Sequence, residues 1–242
     1  MDRSEFYKYL IAKYLKKNSS ILILGGTMNE YNIFKDLGFK NITLSNIADI
    51  KKTLSSNVKF RIEDMTNLSL NQNTFDYAVT FASIHHTDKP HNSILEMLRI
   101  SNKGILALES NDSLIMRIAT KFNYTEEFEL SSVGGRQHSN DGFYGGMNDT
   151  GIPNYIYRWN EREIYKLINS YSPSINHKIY FEYNYCFDNN SLSIKRKLIK
   201  KLIYNLCKLI LLIFFKIFPK QQNLFGFFID IENSKERFFN YK

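Results

Sequence analysis

Short apolar runs alternate along the chain with segments whose apolar residues recur every three or four positions. ILIL (Ile21–Leu24), closed by Gly25 and Gly26, reads as a strand and a turn. Ile33, Phe34 and Leu37 ahead of Gly38 predict the helix that follows. NITLS (Asn41–Ser45) predicts a second strand, Ala48–Ser55 a short helix and VKFRI (Val58–Ile62) a third strand. FDYAVTFA (Phe75–Ala82), entered through the polar turn NQNT, predicts a fourth. Pro90 suits the first turn of the next helix, whose Ile94, Leu95 and Leu98 share a face, and GILALES (Gly104–Ser110) is the fifth strand. Strands joined by helices at this spacing predict an α/β fold, a mostly parallel sheet with helices on both faces.

Beyond Ser110 the pattern loosens. Ser113–Lys121 is a further helix candidate. Gly134–Trp159, inside a loop region spanning 123–159, is rich in glycine, asparagine and aromatic residues, and long loops in compact domains tend to carry function. Asn160 and Glu163 have the spacing of a capping box, with Ile164, Leu167, Ile168 and Tyr171 as the buried stripe of the helix it starts. Ile175–Phe187 and Leu224–Ile231 are two more strand candidates, which brings the sheet to seven. Between them lies a basic helical insertion at 191–220. No linker or repeat divides residues 1–242, so a single domain is expected.

Charge changes this picture at one place. The net charge is +8, yet Lys195, Arg196, Lys197, Lys200, Lys201, Lys208, Lys216 and Lys220 lie in one stretch without an acid, and the other 24 bases match 24 acids. A generally basic nucleic-acid-binding surface is therefore not expected. Lys197, Lys201, Asn205, Lys208 and Lys216 fall on one stripe of a helix otherwise made of Leu, Ile and Phe. The longest run free of polar residues, Leu209–Phe215, is far below the roughly 20 residues that span a bilayer. Two readings stay open for this helix: an interfacial element on an anionic membrane, or one docked in the protein or a dimer interface. Two cysteines, Cys186 and Cys207, form neither a disulfide framework nor a metal-ligand spacing, so no metal is expected. The first twenty residues, broken by Lys8, Lys13, Lys16 and Lys17, lack the apolar core of a secretory signal. A cytoplasmic protein is expected, at the inner face of the membrane if the basic helix touches it.

Candidate chemistry gathers at the carboxyl ends of the first four strands, where doubly wound sheets bind ligands. Gly25 and Gly26 let a ligand approach the backbone, but Thr27, Met28, Asn29 and Glu30 do not complete the three-glycine dinucleotide pattern. Asn46 can hydrogen-bond a diol, Asp49 is better suited to capping, and Asp64 with Met65 can meet the edge and face of an adenine. His85 and His86 follow the fourth strand.

From Asp64 through Met65, Phe75-Asp76, the FASIHHTDKP segment, Glu96-Met97, Arg99 and Gly104, the order and spacing of residues resemble the class I S-adenosylmethionine-dependent methyltransferases, over roughly Ile21–Ser110. The resemblance implies a Rossmann-like sheet with an antiparallel last strand and S-adenosylmethionine as cofactor. It implies that Gly25 and Gly26 border the methionine part, Asn46 the ribose, Asp64 and Met65 the adenine, and Phe81 and Ala82 the sulfonium side. YGGMNDTGIPNYIYRWNEREI also looks like a segment of a bacterial subgroup of such enzymes. The chain departs from the family pattern with Ile23 at the usual acid position, GGTMN in the turn and Asn46 for the ribose carboxylate.

Methyl transfer from a sulfonium is an in-line displacement that depends on alignment, and a hydroxyl acceptor gains further from a base. His86 is the candidate base, whereas His85 reads as a packed histidine bonded at the sheet edge. Arg136, Tyr144, Asn148, Tyr155 and Arg158 are the substrate-binding candidates, for a small-molecule or saccharide hydroxyl that could be lipid-linked. The rival is a non-catalytic binding or scaffold protein on the same fold, which cofactor titration separates from the enzyme.

Overall fold

The computed structural model describes residues 1–133, 144–186 and 210–237. Its centre is a seven-stranded sheet of order β3-β2-β1-β4-β5-β7-β6. The strands are β1 (Ser20–Leu24), β2 (Asn41–Asn46), β3 (Lys59–Ile62), β4 (Phe75–Phe81), β5 (Ser101–Ser110), β6 (Ile175–Asn184) and β7 (Leu224–Glu236). The pairs among β1 to β5 are parallel, and β7 runs antiparallel to both of its neighbours. This is the Rossmann-like sheet with a reversed last strand that the sequence resemblance implied.

Helices α1 (Arg3–Tyr14), α2 (Met28–Asp36), α3 (Pro90–Ile100), α4 (Leu114–Lys121) and α5 (Glu161–Tyr171) complete the described regular elements, with a further helical stretch at 210–217. Alternation within β1 splits the core in two. Ile21 and Ile23 pack with Phe6, Leu10 and Ile11 of α1 and Phe34 of α2. Leu22 and Leu24 face Ile94 and Met97 of α3 and Ile164 and Ile168 of α5. A central parallel strand is thus apolar on both faces, and each fully buried side chain of this kind contributes about 1.5–3 kcal/mol.

Helix α1 has no counterpart among the elements predicted from the sequence. It begins with a reciprocal capping box, Asp2 with Glu5, and buries Phe6, Tyr7, Leu10 and Ile11. Lys13 bonds Glu182 of β6 at 2.5 Å, and the Tyr14 ring stacks on Phe228 of β7 with centroids 4.8 Å apart. The short helix expected at Ala48–Ser55 is a single 3-10 turn at Lys51–Thr53. There the Asp49 carboxylate accepts from the Lys51 N–H and the Asn46 side chain from the Ala48 N–H, local bonds that compete with a longer helix. At α5 only half of the expected capping box forms. Asn160 accepts from the Glu163 N–H, while the Glu163 carboxylate bonds the Tyr157 hydroxyl and His91 instead.

Candidate functional site

Strand order reverses between β1 and β4, since the chain adds β2 and β3 on one side of β1 and then crosses to the other. The first turns after these strands leave a crevice there. Gly25 occupies the left-handed region at φ +62°, and a Cβ on it would lie 2.6 Å from Ser83 Cβ, so the turn requires glycine. Ala82, just past β4, is also left-handed at φ +52°. This bend brings Ser83 over the glycine turn, where its hydroxyl donates to the Gly25 carbonyl at 3.2 Å.

The resulting cavity has a volume of about 450 Å³, within the usual range for small-molecule sites. Gly25, Asn46, Asp64, Met65, Phe81 and Ala82 line it, as do His86 and Asn148. Gly26 does not: its N–H donates to the Ser45 carbonyl, and a Cβ there would strike Ile23 and Leu44, so this glycine serves close packing. The Asn46 amide donates to the Gly26 carbonyl at 3.3 Å. One Asp64 oxygen accepts from the N–H and hydroxyl of Thr66, both at 2.8 Å.

Thr27 caps α2 in a reciprocal box with Glu30, so that a hydroxyl and a carboxylate stand at the helix end where a spaced-glycine turn would leave bare N–H groups. Glu30, Glu63, Asp64, Glu129 and Asp149 line the cavity without a single lysine or arginine among the described residues. Such a lining favours cationic groups. Glu63 accepts from Arg61 and from the Ser69 N–H and hydroxyl; burial opposes its ionisation, but these bonds hold its carboxyl below the usual range.

The histidines form the outer end. Glu109, fully buried at the end of β5, accepts from the N–H groups of Ser83 and Ile84 with one oxygen and meets His85 Nδ1 at 2.6 Å with the other. His85 Nε2 lies 3.4 Å and His86 Nε2 3.3 Å from Glu129 Oε2. Burial alone would lower His85, but Glu109 and Glu129 outweigh it and raise its pKa to about 9. Burial and the neighbouring His85 push His86 below its ordinary value. The His85 ring, opposed by desolvation, holds Glu129 at about 2.

The remaining substrate candidates are placed elsewhere. Tyr144 is exposed beside Asp149, and Tyr155 packs edge-on against Phe128. Arg158 donates to the Glu126 carbonyl at 2.6 Å, and burial lowers its pKa. Arg136 lies outside the described residues. Glu129, Glu109, Ser83 and Glu30 were not among the candidates. Glu109 ends an apolar strand and Glu129 belongs to an irregular segment, so neither carries a local pattern that marks it.

The family model for the methyltransferase domain matches residues 34–108. No curated protein matches the chain. Among solved structures, an S-adenosylmethionine-dependent methyltransferase from Archaeoglobus fulgidus superposes with a TM-score of 0.54 at 10% identity, covering 94% of both chains. One from Methanosarcina mazei gives 0.52 at 15% identity, covering 95% of this chain and 97% of that one. The magnesium protoporphyrin IX methyltransferase of Synechocystis, with S-adenosylhomocysteine bound, gives 0.51 at 9% identity, covering 93% and 80%. At these identities the structures establish the fold, and the domain match supplies the kinship. Residues 34–108 thus match the methyltransferase domain family, and the chain as a whole shares the fold of S-adenosylmethionine-dependent methyltransferases.

Proposed function

We propose that this protein transfers the methyl group of S-adenosylmethionine to a hydroxyl of a small-molecule or saccharide acceptor held at the outer end of the cavity. The observation that carries this reading is a lining that runs from the Gly25 turn through Asn46, Asp64 and Met65 to Phe81 and Ala82, and ends at His86. The residues fit the cofactor. The Gly25 turn admits close backbone approach to the methionine part, Asn46 faces the ribose, and Asp64 with Met65 takes the edge and face of the adenine. Phe81 and Ala82 flank the sulfonium, and the acidic lining favours its charge. When bound, the cofactor supplies an electrophilic methyl carbon. The protein's part is to align the acceptor oxygen with that carbon and to exclude water. His86 brings an imidazole to the point where the hydroxyl proton must leave, and Asn148 adds an amide on the same side.

The basic segment adds a location to this reading. Ile210, Leu212, Ile213, Ile217 and Phe218 are exposed, while Phe215 is buried and its ring lies 4.3 Å from that of Tyr185. No helix among the described residues is long and apolar enough to cross a membrane. Residues 191–209, with six of the eight bases, lie outside the described residues; an apolar outer face that follows so basic a stretch in the sequence suits peripheral contact with an anionic bilayer, and through it access to a lipid-linked acceptor.

Calorimetry with S-adenosylhomocysteine tests the reading directly: one site per chain is expected, and absence of both heat and thermal shift at millimolar ligand overturns it in favour of a scaffold protein. His86→Ala should then lower turnover by about 10²-fold or more, as expected for loss of proton removal, with cofactor affinity unchanged.

A further inference from the structure

We propose that His85, His86 and Glu129 form the protein side of a divalent-cation site, suited to zinc or a similar first-row ion, at the acceptor end of the cavity. Three potential ligand atoms, one from each residue, lie within 4.8 Å of one another. His85 Nε2 and His86 Nε2 stand 3.4 Å and 3.3 Å from the same Glu129 oxygen. Those separations are long for N–H···O hydrogen bonds, which cluster near 2.9–3.0 Å. Each of the two matches one edge of a tetrahedral site, because ligands about 2.0–2.2 Å from one tetrahedral centre are about 3.3–3.6 Å apart.

The surroundings are those of a metal site. His85 presents Nδ1 to the buried Glu109 carboxylate at 2.6 Å, an arrangement that would keep a proton on that nitrogen when an ion displaces the one on Nε2. Metal-bound histidines are oriented by this carboxylate arrangement. Glu109 is itself held by the N–H groups of Ser83 and Ile84. Glu129 arrives from a separate segment and is oriented by the Asn154 amide at 3.3 Å. The two histidines are fixed by the turn after β4, where the His86 N–H donates to the Ser83 carbonyl. His86 and Glu129 both line the cavity, so the ion's fourth position opens towards it, the pattern of three protein ligands plus an exchangeable one.

The ion's role rests on the reading of this cavity as a methyl-transfer site; its binding does not. An acceptor hydroxyl in the fourth position would lose its proton to solvent more readily. The oxygen would then bond to the methyl carbon as the carbon–sulfur bond breaks, with both electrons passing to sulfur. His86 in that case serves the acceptor through the ion rather than by taking the proton itself.

The full chain, stripped with a chelator, should be titrated with Co(II) as a spectroscopic probe and with Zn(II) by calorimetry. One equivalent of Co(II) should give visible d–d bands of tetrahedral type, and Zn(II) should displace it. Glu129→Gln, on a partly exposed segment, should weaken Co(II) binding at least tenfold in a protein that still folds, shown by a single cooperative thermal transition. Glu109→Gln should weaken it by about 10- to 100-fold, the usual effect of losing an outer carboxylate. Absence of the bands, or equal affinity in Glu129→Gln and His86→Ala, overturns the proposal. S-adenosylhomocysteine binding measured in chelator separates the two readings: if it persists while Co(II) fails to bind, the methyltransferase reading stands alone.

Discussion

Gly25 joins the geometry of the first turn to the shape of the cavity. Any other L-residue there meets a backbone penalty of about 1–2 kcal/mol from the left-handed conformation, before the contact with Ser83 is counted. Gly25→Ala is therefore expected to lower the melting temperature and to weaken S-adenosylhomocysteine binding more than tenfold, both measurable by thermal shift and calorimetry. Gly26→Ala should destabilise through Ile23 and Leu44 without acting at the cavity wall. The sequence could not distinguish these neighbouring glycines, because the difference lies in which way each Cα faces. Asp64, Met65, Phe81 and Ala82 were assigned through the family resemblance, and all four line the cavity, just past β3 and at the end of β4. Glu129 was not legible, since its partners His85 and His86 lie more than forty positions away and only the folded loop brings them together.

At the scale of elements, the segment after β3 is pinned to α3 by a pair internal to that helix. Arg99 donates to the Leu68 and Leu70 carbonyls and to Glu96, and Glu96 accepts from the Leu68 N–H at 2.8 Å. The Arg99 guanidinium, opposed by desolvation, holds the Glu96 carboxyl below its ordinary 4.5. A carboxyl depressed in the folded state contributes stability above its unfolded pKa and loses it as pH falls through the folded value. Unfolding midpoints should thus fall below about pH 4.5, and Glu96→Gln should flatten that part of the profile while lowering stability at neutral pH. Asp64 and Met65, proposed above to take the adenine, belong to the pinned segment, so the same variant should also loosen cofactor binding on that reading. All seven strands and helices α2 to α5 were readable from the apolar pattern. Helix α1 was not, because its buried Phe6, Tyr7, Leu10 and Ile11 are interspersed with lysines and tyrosines that bond other strands and blur the apolar stripe. The turn at Lys51–Thr53 was overextended because local side-chain bonds outweighed the helical spacing.

For the whole molecule, exposed apolar residues at 210–218 follow a basic stretch of the sequence, and the test of the proposed membrane contact is physical attachment. The protein should sediment with anionic vesicles and be released as salt shortens the screening length from about 10 Å at 0.1 M towards 3 Å at 1 M. Lys197→Glu with Lys200→Glu and Lys201→Glu should abolish retention, since each base near a negative surface contributes about 1 kcal/mol. Retention in the supernatant with every lipid mixture refutes membrane attachment and leaves a helix that only packs. The placement of α1 bears on how the chain is made. It leaves the ribosome well before its partners Glu182 and Phe228, which lie in β6 and β7, and β7 begins about 210 residues after α1 ends. At about 5–20 residues per second, α1 can pack on β1 and α2 early but waits on the order of ten to forty seconds for the part of its docking surface that β6 and β7 provide. Strands β1 to β5 can pair meanwhile, but the GILALE edge of β5 has no neighbour until β7 is synthesised. During that interval the nascent chain presents an open, apolar strand edge, the state in which association with other chains is most favoured. Yield in cells should therefore depend on the rate of synthesis and on holding chaperones more than on the stability of the finished protein.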